Sequence, residues 1–432
     1  MTASGRRSIL AICSLVLTSV APGRGALTVR WGRQLLTPTK DAIFRAMVAD
    51  SNDGIYMAVS RECEDASGTA SKAYHLLKFD RQGQTVRSRQ LGKREGGAPV
   101  HVSVDGLAAD DHENIYVFGY THGSLGRENV GKNDMFFAKY DRAGTELWMR
   151  QVGTPEHDVC TGLAVDDSGN LYIAGYTYGD FACPNRGGAD MLIAAYSQTG
   201  EPLWKDQFGT HTDERAMDLR LGDHNDIYLC GNTAGPLSGQ RRGEDDIVVA
   251  RYSRAGRPLW LRQCGTGVDD RAVCMAIGEH GQVYVAGRTM GDLQSKRSQR
   301  GYGDAFLVRI AETGHVLWTR QFGSRGWDKT FDAACFLDGS GDVLVGGCQY
   351  PSGRFCEAFC RRYSSEGKLI WTKEFRKHSA IGGTCGRAVA IDRDNHCYHA
   401  GGTRADNFAV NNGTGNVFIV RLDEAKEEQT EP

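Results

Sequence analysis

The sequence predicts an all-β chain that folds as a single seven-bladed β-propeller of four-stranded antiparallel blades. Three observations lead to this prediction. A phrase ending in Leu-Trp-x-Arg-Gln-Phe-Gly recurs about every 56 residues, three further β-like runs precede most copies, and one isolated copy stands near the N-terminus. A fixed period of this size is typical of propellers, solenoids or arrays. The 55 glycines and a hydrophobic content of 40% suit an all-β chain with many tight turns.

The recurring phrase marks the last strand of each repeat. It reads YDRAGTELWMRQVG at 140–153 and YSQTGEPLWKDQFG at 196–209, and a looser copy occupies 363–376. The positions equivalent to its tryptophan are Trp31, Arg87, Trp148, Trp204, Trp260, Trp318 and Trp371. Because residues two apart in a strand share a face, we expect Arg150 to stack on Trp148 between blades, and the same in other repeats.

Four short runs make up each repeat. In one repeat they are GLAVD (162–166), LYIAGYT (171–177), DMLIAAYS (190–197) and PLWKDQF (202–208). Runs this short, rich in Val, Ile, Tyr and Trp and bounded by Gly, Asn and Asp, predict strands. The first two runs are joined by turns such as Asp-Ser-Gly-Asn, which supply the left-handed backbone that tight hairpins need. The loop after the second run is the longest and most variable.

The two ends of the chain predict how the ring closes. Complete four-strand units begin near residues 46, 106, 162, 216, 272 and 332. A seventh begins near Arg387, ends at 416–423 and lacks a tryptophan strand, whereas LTVRWGRQL at 27–35 is such a strand without the other three. We therefore expect the N-terminal strand to complete the last blade and remove the open edge. The predicted propeller covers 26–423, followed by an acidic tail at 424–432.

Residues 1–25 lie outside the repeat and predict a signal peptide. Arg6 and Arg7 precede the apolar run Ile9–Ala21, and Pro22 follows. This is the layout of a secretory signal whose core is too short for a bilayer-spanning helix. An organellar transit peptide is the alternative, because no acidic residue occurs before Asp41. No other segment is long and apolar enough to predict a membrane span.

The overall charge narrows the classes of partner. The formal net charge is −2 at pH 7. A chain without a basic surplus has no global field that attracts nucleic acid or an anionic membrane. We therefore expect the partner to be a protein or a glycan.

These motifs resemble a known family. The combination D-x-x-G-N-x-Y-V-A-G-x-T, G-x-D-A-F-x-A-K-Y and G-x-x-L-W-x-R-Q-F-G is similar to the seven-bladed β-propeller repeat family often called SBBP. The resemblance covers 27–423 and departs from the pattern at Arg87 and at Leu344, where the family has Trp and Tyr. It implies a propeller fold and a secreted or surface location, and it supplies no catalytic residues.

The loops after the second strands carry a set of basic residues that we call the basic rim. Its members are Arg127, Lys132, Arg186, Arg241, Arg242, Lys296, Arg297 and Arg300. Together they suggest a patch for an anion or an acidic glycan. The alternative is that these charges are simply solvated.

An acidic residue lies five positions after the closing glycine of four repeats, in the predicted blade-to-blade loops. We call this set the acid ring: Asp158, Glu214, Asp270 and Asp328. A ring of carboxylates near the channel mouth could bind a cation or a sugar. Each acid could equally cap a strand or pair with an arginine of the next blade, and residues that follow a repeat usually serve repeated packing.

The cysteines suggest one disulfide and no metal site. Cys348 and Cys356 flank a short loop in a predicted hairpin, which makes them a candidate pair in an oxidising compartment. Cys356 and Cys360 have the spacing of half a metal site, but no second pair with suitable spacing completes it. We expect no bound cofactor.

The sequence thus favours a secreted, non-catalytic β-propeller that acts as a binding scaffold through its variable loop face. The alternative is a propeller enzyme with its site at the central channel, such as a quinoprotein, because G-x-x-L-W resembles the tryptophan-docking motif of quinone-dependent dehydrogenases. Against it, the chain has no vicinal cysteine pair, and paired carboxylates that would serve a glycosidase are not apparent. The identity of the ligand stays open.

Overall fold

The structure is a computed structural model. It describes residues 11–15, 27–36, 41–52, 54–64, 70–91, 102–125, 128–222, 226–239, 241–278, 281–294, 302–351, 355–375, 383–404 and 415–424. Within these ranges the chain forms strands and turns without a helix. The described ranges therefore hold no helix that could cross a membrane.

Seven antiparallel sheets of four repeating strands form the blades. Strands β1 (Ala11–Leu15) and β2 (Leu27–Leu36) precede blade 1, which comprises β3 (Ala42–Ala49), β4 (Ile55–Glu64), β5 (Ala70–Phe79) and β6 (Thr85–Leu91). Blade 2 comprises β7 (Val102–Ala109), β8 (Ile115–Thr121), β9 (Asp134–Tyr140) and β10 (Glu146–Val152). Blade 3 comprises β11 (Asp158–Val165), β12 (Leu171–Thr177), β13 (Asp190–Tyr196) and β14 (Pro202–Phe208).

The second half of the ring follows the same order. Blade 4 comprises β15 (Glu214–Leu221), β16 (Ile227–Thr233), β17 (Asp246–Tyr252) and β18 (Pro258–Cys264). Blade 5 comprises β19 (Asp270–Ile277), β20 (Val283–Thr289), β21 (Asp304–Ile310) and β22 (Val316–Phe322). Blade 6 comprises β23 (Lys329–Cys335), β24 (Val343–Gln349), β25 (Glu357–Tyr363) and β26 (Leu369–Phe375). Blade 7 begins with β27 (Thr384–Ile391), β28 (Cys397–Thr403) and β29 (Asn416–Glu424).

The N-terminal strand completes blade 7, as the sequence predicts. Strand β2 pairs antiparallel with β29, from Leu27 opposite Glu424 to Leu35 opposite Val417. Strand β1 pairs with the outer side of β2 as a fifth strand. Strand β1 lies within the predicted signal peptide. Its pairing with β2 does not show whether residues 1–25 are removed from the mature protein, so the signal peptide stays a prediction.

The tryptophan of the recurring phrase forms the seam between blades. The Trp148 indole donates a hydrogen bond to the carbonyl of Gln198, which lies in the hairpin turn of the next blade, at 3.1 Å. Arg150 donates to the carbonyl of Gly200 in the same turn at 3.0 Å. The guanidinium also lies 5.7 Å from the centroid of the Trp148 ring. The stacking is therefore within one blade, and it is the hydrogen bonds that cross to the next.

Hydrophobic cores lie between neighbouring blades. Between blades 3 and 4, for example, Ile193 of one sheet packs with Leu229 of the other, and both are fully buried. The apolar faces of successive sheets thus cover each other around the ring.

Every inner strand contains a register shift near its middle, and the shift leaves one residue without a cross-strand partner. A β-bulge of this kind re-aims a side chain. We call these seven residues the channel column: Arg45, Asp105, Thr161, Met217, Val273, Phe331 and Arg387. All seven line one cavity along the central axis.

Candidate binding site at the channel mouth

The channel widens into a cavity of about 960 Å³ on one face of the ring. This mouth is formed where the inner strands begin and the second strands end, so it lies on the face that carries the variable loops. It contains residues of the channel column together with charged and aromatic side chains such as Tyr120, Tyr176, Arg215 and Lys329. The mouth is therefore polar, partly enclosed and different from blade to blade.

Some of the cations in the mouth are neutralised by neighbouring carboxylates. Arg271 lies 2.6 Å from a carboxylate oxygen of Asp245 and 3.0 Å from one of Asp269. Arg288 pairs with the second oxygen of Asp269 at 2.7 Å. These pairs fix side chains in the wall of the mouth and leave little net charge there.

Lys329 and Arg387 differ from these pairs. The Lys329 ammonium lies 4.2 Å from the centroid of the Phe331 ring, and the Arg387 guanidinium lies 4.4 Å from it. Among the described residues, neither forms a salt bridge with a carboxylate. Burial lowers the pKa of Lys329, and the adjacent positive charge of Arg387 lowers it further. Two cations held close together without a counter-charge favour an anion at this point.

A side cleft of about 560 Å³ adjoins the mouth and shares Arg288 and Lys329 with it. Trp327 is 44% exposed and Tyr302 is 72% exposed, and both line the cleft. The Arg288 guanidinium lies 5.4 Å from the centroid of the Trp327 ring. Exposed aromatic side chains that share one cleft are a feature of recognition sites. The cleft thus offers flat apolar surfaces beside positive charge.

Asp105 is the acid of the channel column. It is reached by water from the channel but lies deep within protein, and this burial raises its pKa to about 6. The positive charge of Arg45 and a hydrogen bond from Ser103, at 3.3 Å, act in the opposite direction. Asp105 therefore changes charge close to neutral pH.

The acid ring lies inside the protein rather than at the mouth. Asp158, Glu214 and Asp270 are the first residues of inner strands, not loop residues, and all are fully buried. The Asp158 carboxylate accepts hydrogen bonds from the backbone amide of Thr154 at 2.6 Å and from its hydroxyl at 3.0 Å. Asp328 accepts equivalent bonds from Ser324. Each acid thus closes the loop that enters its own blade.

The described part of the basic rim lies on the outer loops. Lys132 pairs with Glu156 at 2.6 Å. Arg241 donates to the carbonyl of Gly243, and the side chains of Arg241 and Arg242 are exposed. Arg186 donates to the carbonyl of Gly209 at 3.3 Å. The other four rim residues lie outside the described residues: Arg127, Lys296, Arg297 and Arg300.

The structure corrects the predicted disulfide. Cys356 is bonded to Cys385, with their Cα atoms 5.7 Å apart, and not to Cys348. Cys385 lies on the first strand of blade 7, so the bond joins blades 6 and 7. The hairpin that contains Cys348 and Cys356 could be recognised in the sequence, whereas the approach of a neighbouring blade could not.

Sequence reasoning missed the channel column and the exposed Trp327. In most repeats, the column is the position before a small residue, such as Ala46, Gly106 or Gly162, and in two repeats it precedes Asp218 or Asp332. Aligned across the seven blades, that position holds six residue types, both charged and apolar. The sequence did contain a signal for the channel column, namely one variable position within an otherwise periodic strand.

Comparisons with known proteins agree with this architecture. The profile of the beta-propeller repeat family, SBBP, matches residues 86–126 and 147–182. The regulatory protein FlaEY of Caulobacter vibrioides is 27% identical over 178 residues, which is 38% of this chain and 18% of FlaEY. The chain thus matches less than one fifth of the length of that relative.

Solved structures with similar shape are distant in sequence. A protein of unknown function from Dyadobacter fermentans is 12% identical, with 92% of this chain and 99% of that chain covered and a TM-score of 0.50. A polysaccharide lyase described as an ulvan lyase is also 12% identical, with 92% and 96% covered and a TM-score of 0.44. At these identities the likeness concerns the fold alone. The chain therefore carries beta-propeller repeats of the SBBP type and folds as a seven-bladed β-propeller.

Proposed function

We propose that this chain is a secreted, non-catalytic propeller that binds an acidic saccharide at the channel mouth. The observation that carries the proposal is the groove that runs from the exposed Trp327 to Lys329 and Phe331. Lys329 and Arg387 both contact the Phe331 ring, and no described carboxylate neutralises their charges. Secretion rests on the N-terminal layout of Arg6, Arg7 and the apolar run after them.

The groove suits the two chemical faces of such a ligand. Sugar rings present apolar C–H faces that pack on aromatic side chains, and Trp327 and Tyr302 offer such surfaces. A carboxylate or sulfate group on the sugar would lie beside Lys329 and Arg387, where charge-assisted hydrogen bonds are strongest. Because Lys329 and Arg387 lie on strands of the blades, binding requires little ordering of these two side chains.

The test is titration calorimetry of the protein with a sulfated oligosaccharide, a polyuronate oligosaccharide and a neutral oligosaccharide. We expect salt-sensitive binding of one or both acidic sugars and none of the neutral one. Trp327→Ala and Lys329→Gln should each weaken binding about tenfold or more. Binding should also weaken as pH rises through about 6, because Asp105, which lines the same mouth, then ionises and repels the anion, and Asp105→Asn should remove this dependence.

The basic rim provides the matched control. A variant with Arg241, Arg242, Lys296 and Arg297 changed to Gln removes four positive charges on the loop face but leaves the groove intact. If that variant loses binding while Trp327→Ala and Lys329→Gln bind normally, the ligand lies on the outer loops and the proposed site is wrong. Failure of every acidic sugar to bind would overturn the saccharide proposal itself.

Asp105 supports a second candidate function, a propeller enzyme with its site in the channel. A carboxyl group with a pKa of about 6 is suited to proton transfer near neutral pH. If a bound acidic sugar is slowly converted by the wild type but not by Asp105→Asn, while the affinity is retained, the enzymatic alternative replaces the binding scaffold.

A further inference from the structure

Three cysteine sulfurs meet at the junction of blades 6 and 7. Cys348 lies on β24, Cys356 immediately precedes β25 and Cys385 lies on β27. Their sulfur atoms all lie within 4.8 Å of one another. Cys356 and Cys385 form the disulfide, and Cys348 is a free thiol that is 1% exposed. Three strands that are distant in sequence thus place three soft ligand atoms at one point.

Two positive charges lie beside this cluster. Lys329 is the direct cross-strand partner of Cys348, and Arg387 follows Cys385 by two residues on the same strand. These are the two cations at the mouth that no described carboxylate neutralises, so they can balance the negative charge of thiolates that a bound metal ion holds.

The cluster can be reached from solvent. Cys356 and Cys385 line a cavity of about 370 Å³ between blades 6, 7 and 1, together with Tyr350 and Arg387. Cys385 itself is partly exposed. An ion entering this cavity meets two of the sulfurs directly, and Cys348 lies behind them.

We propose that Cys348, Cys356 and Cys385, once the disulfide is reduced, form a three-coordinate thiolate site for a soft monovalent metal ion of the Cu(I) type. Metal–sulfur bonds of about 2.3 Å place three sulfurs roughly 4 Å apart around a trigonal ion, which fits the observed 4.8 Å limit. Three thiolates around Cu(I) carry two negative charges in total, and Lys329 and Arg387 match them. The inference goes beyond saccharide binding and does not depend on it.

The reaction balances with an external dithiol as reductant. The dithiol gives two electrons and two protons to the Cys356–Cys385 bond, which yields two thiols and an oxidised, disulfide form of the reductant. Cu(I) then replaces the protons of the three thiols, which pass to solvent. Because protons compete with the metal, affinity should fall as pH is lowered.

The ligand set favours Cu(I) over Zn²⁺. Structural zinc prefers four protein ligands in a tetrahedron, and the cluster found among the described residues has three members and no fourth His, Cys, Asp or Glu. Thiolate ligands select soft ions. Zn²⁺ would also leave one of the two flanking positive charges unmatched.

The test uses the full chain, reduced with a dithiol, freed of excess reductant under anaerobic conditions and titrated with Cu(I) against a chromogenic Cu(I) chelator. The expected result is one tightly held Cu(I) per chain, and none in the oxidised protein. Cys348→Ala and Cys385→Ala should each lose this ion. Cys360→Ala removes a buried free cysteine outside the cluster and is the matched control, which should retain it. Circular dichroism checks that each variant is folded.

Retention of Cu(I) by Cys348→Ala, or failure of the reduced wild type to hold Cu(I) against the chelator, would overturn the site. A second readout avoids removal of any ligand: Lys329→Gln with Arg387→Gln should weaken Cu(I) binding about tenfold or more while the thiols remain. If the charge variant binds Cu(I) as tightly as the wild type, the proposed charge balance is wrong. Saccharide titration of the oxidised wild type, in which no Cu(I) is held, tests the proposed function separately.

Discussion

At the scale of single residues, positions that repeat from blade to blade serve packing, whereas the positions that vary line the channel. Asp158 and Asp270 occupy one repeated position, and both accept hydrogen bonds from the residue four places earlier and from a threonine on the neighbouring strand. Burial raises the pKa of both carboxyls, and these hydrogen bonds oppose the shift. The channel column, by contrast, holds six residue types in seven blades. A ligand that sits on the axis meets the residues that vary, not the residues that repeat.

This distinction predicts the effect of Asp270→Ala. The change leaves the backbone amide and hydroxyl of Thr266 and the hydroxyl of Thr289 without their acceptor inside the protein. We expect a loss of roughly 2–4 kcal/mol in the free energy of unfolding, measured by urea denaturation, because buried donors are left unsatisfied. Asp167→Ala, at an exposed turn position of blade 3, is the control and should change stability little. A stable Asp270→Ala variant that loses ligand binding would instead assign the acid ring to recognition.

At the scale of elements, the seam between blades accepts a side chain other than tryptophan where that side chain can still donate a hydrogen bond to the next blade. Arg87 stands where other blades have tryptophan, and its guanidinium donates to the carbonyl of Arg142 at 2.8 Å, the same turn position that the indoles reach. Trp371 is the other exception. It donates to the carboxylate of Glu424, because the equivalent hairpin turn of blade 7 is interrupted by the chain ends. The hydrogen bond across the seam thus persists while its donor or its acceptor changes.

The hairpin turns that meet the indoles contain a glycine with positive φ, and Gly256 tests its role. Its φ is +78°, and an added Cβ would lie 2.7 Å from the Trp204 ring. Gly256→Ala should therefore destabilise the protein by roughly 1–3 kcal/mol, through backbone strain and displacement of the indole. Gly239→Ala is the matched control, because Gly239 also has positive φ, +116°, but has nothing within 4 Å of an added Cβ. Equal unfolding midpoints in urea for the two variants would show that the indole contact contributes nothing.

At the scale of the whole molecule, closure depends on one strand from the other end of the chain. Strand β2 pairs with β29 and also reaches blade 1, where the Trp31 indole donates to the carbonyl of Arg81 at 2.8 Å and Arg33 donates to that of Gly83 at 3.0 Å. The side chains of Trp31 and Leu35 are buried. One ten-residue segment therefore both fills blade 7 and forms its seam with blade 1.

Removal of this strand should open the ring. A chain that begins at residue 37 loses the burial of Trp31 and Leu35, and we expect its free energy of unfolding to fall by on the order of 5 kcal/mol. It should also associate at high concentration, because β29 becomes an open edge. A chain that begins at residue 27 keeps β2 and is the control. Thermal unfolding and light scattering check both effects, and identical behaviour of the two chains would contradict closure by β2.

The sequence by itself determined the fold of this protein, including the number of blades and the role of the N-terminal strand, because each blade must repeat the same packing and therefore repeats the same residues. Strand periodicity cannot report how different blades meet. Only the tertiary structure shows that Cys385 bonds to Cys356 and that Lys329 and Arg387 contact one aromatic ring. It also shows that the bulged residues line the channel. These contacts join blades through space, where no repeat relates the partners, and there the candidate site lies.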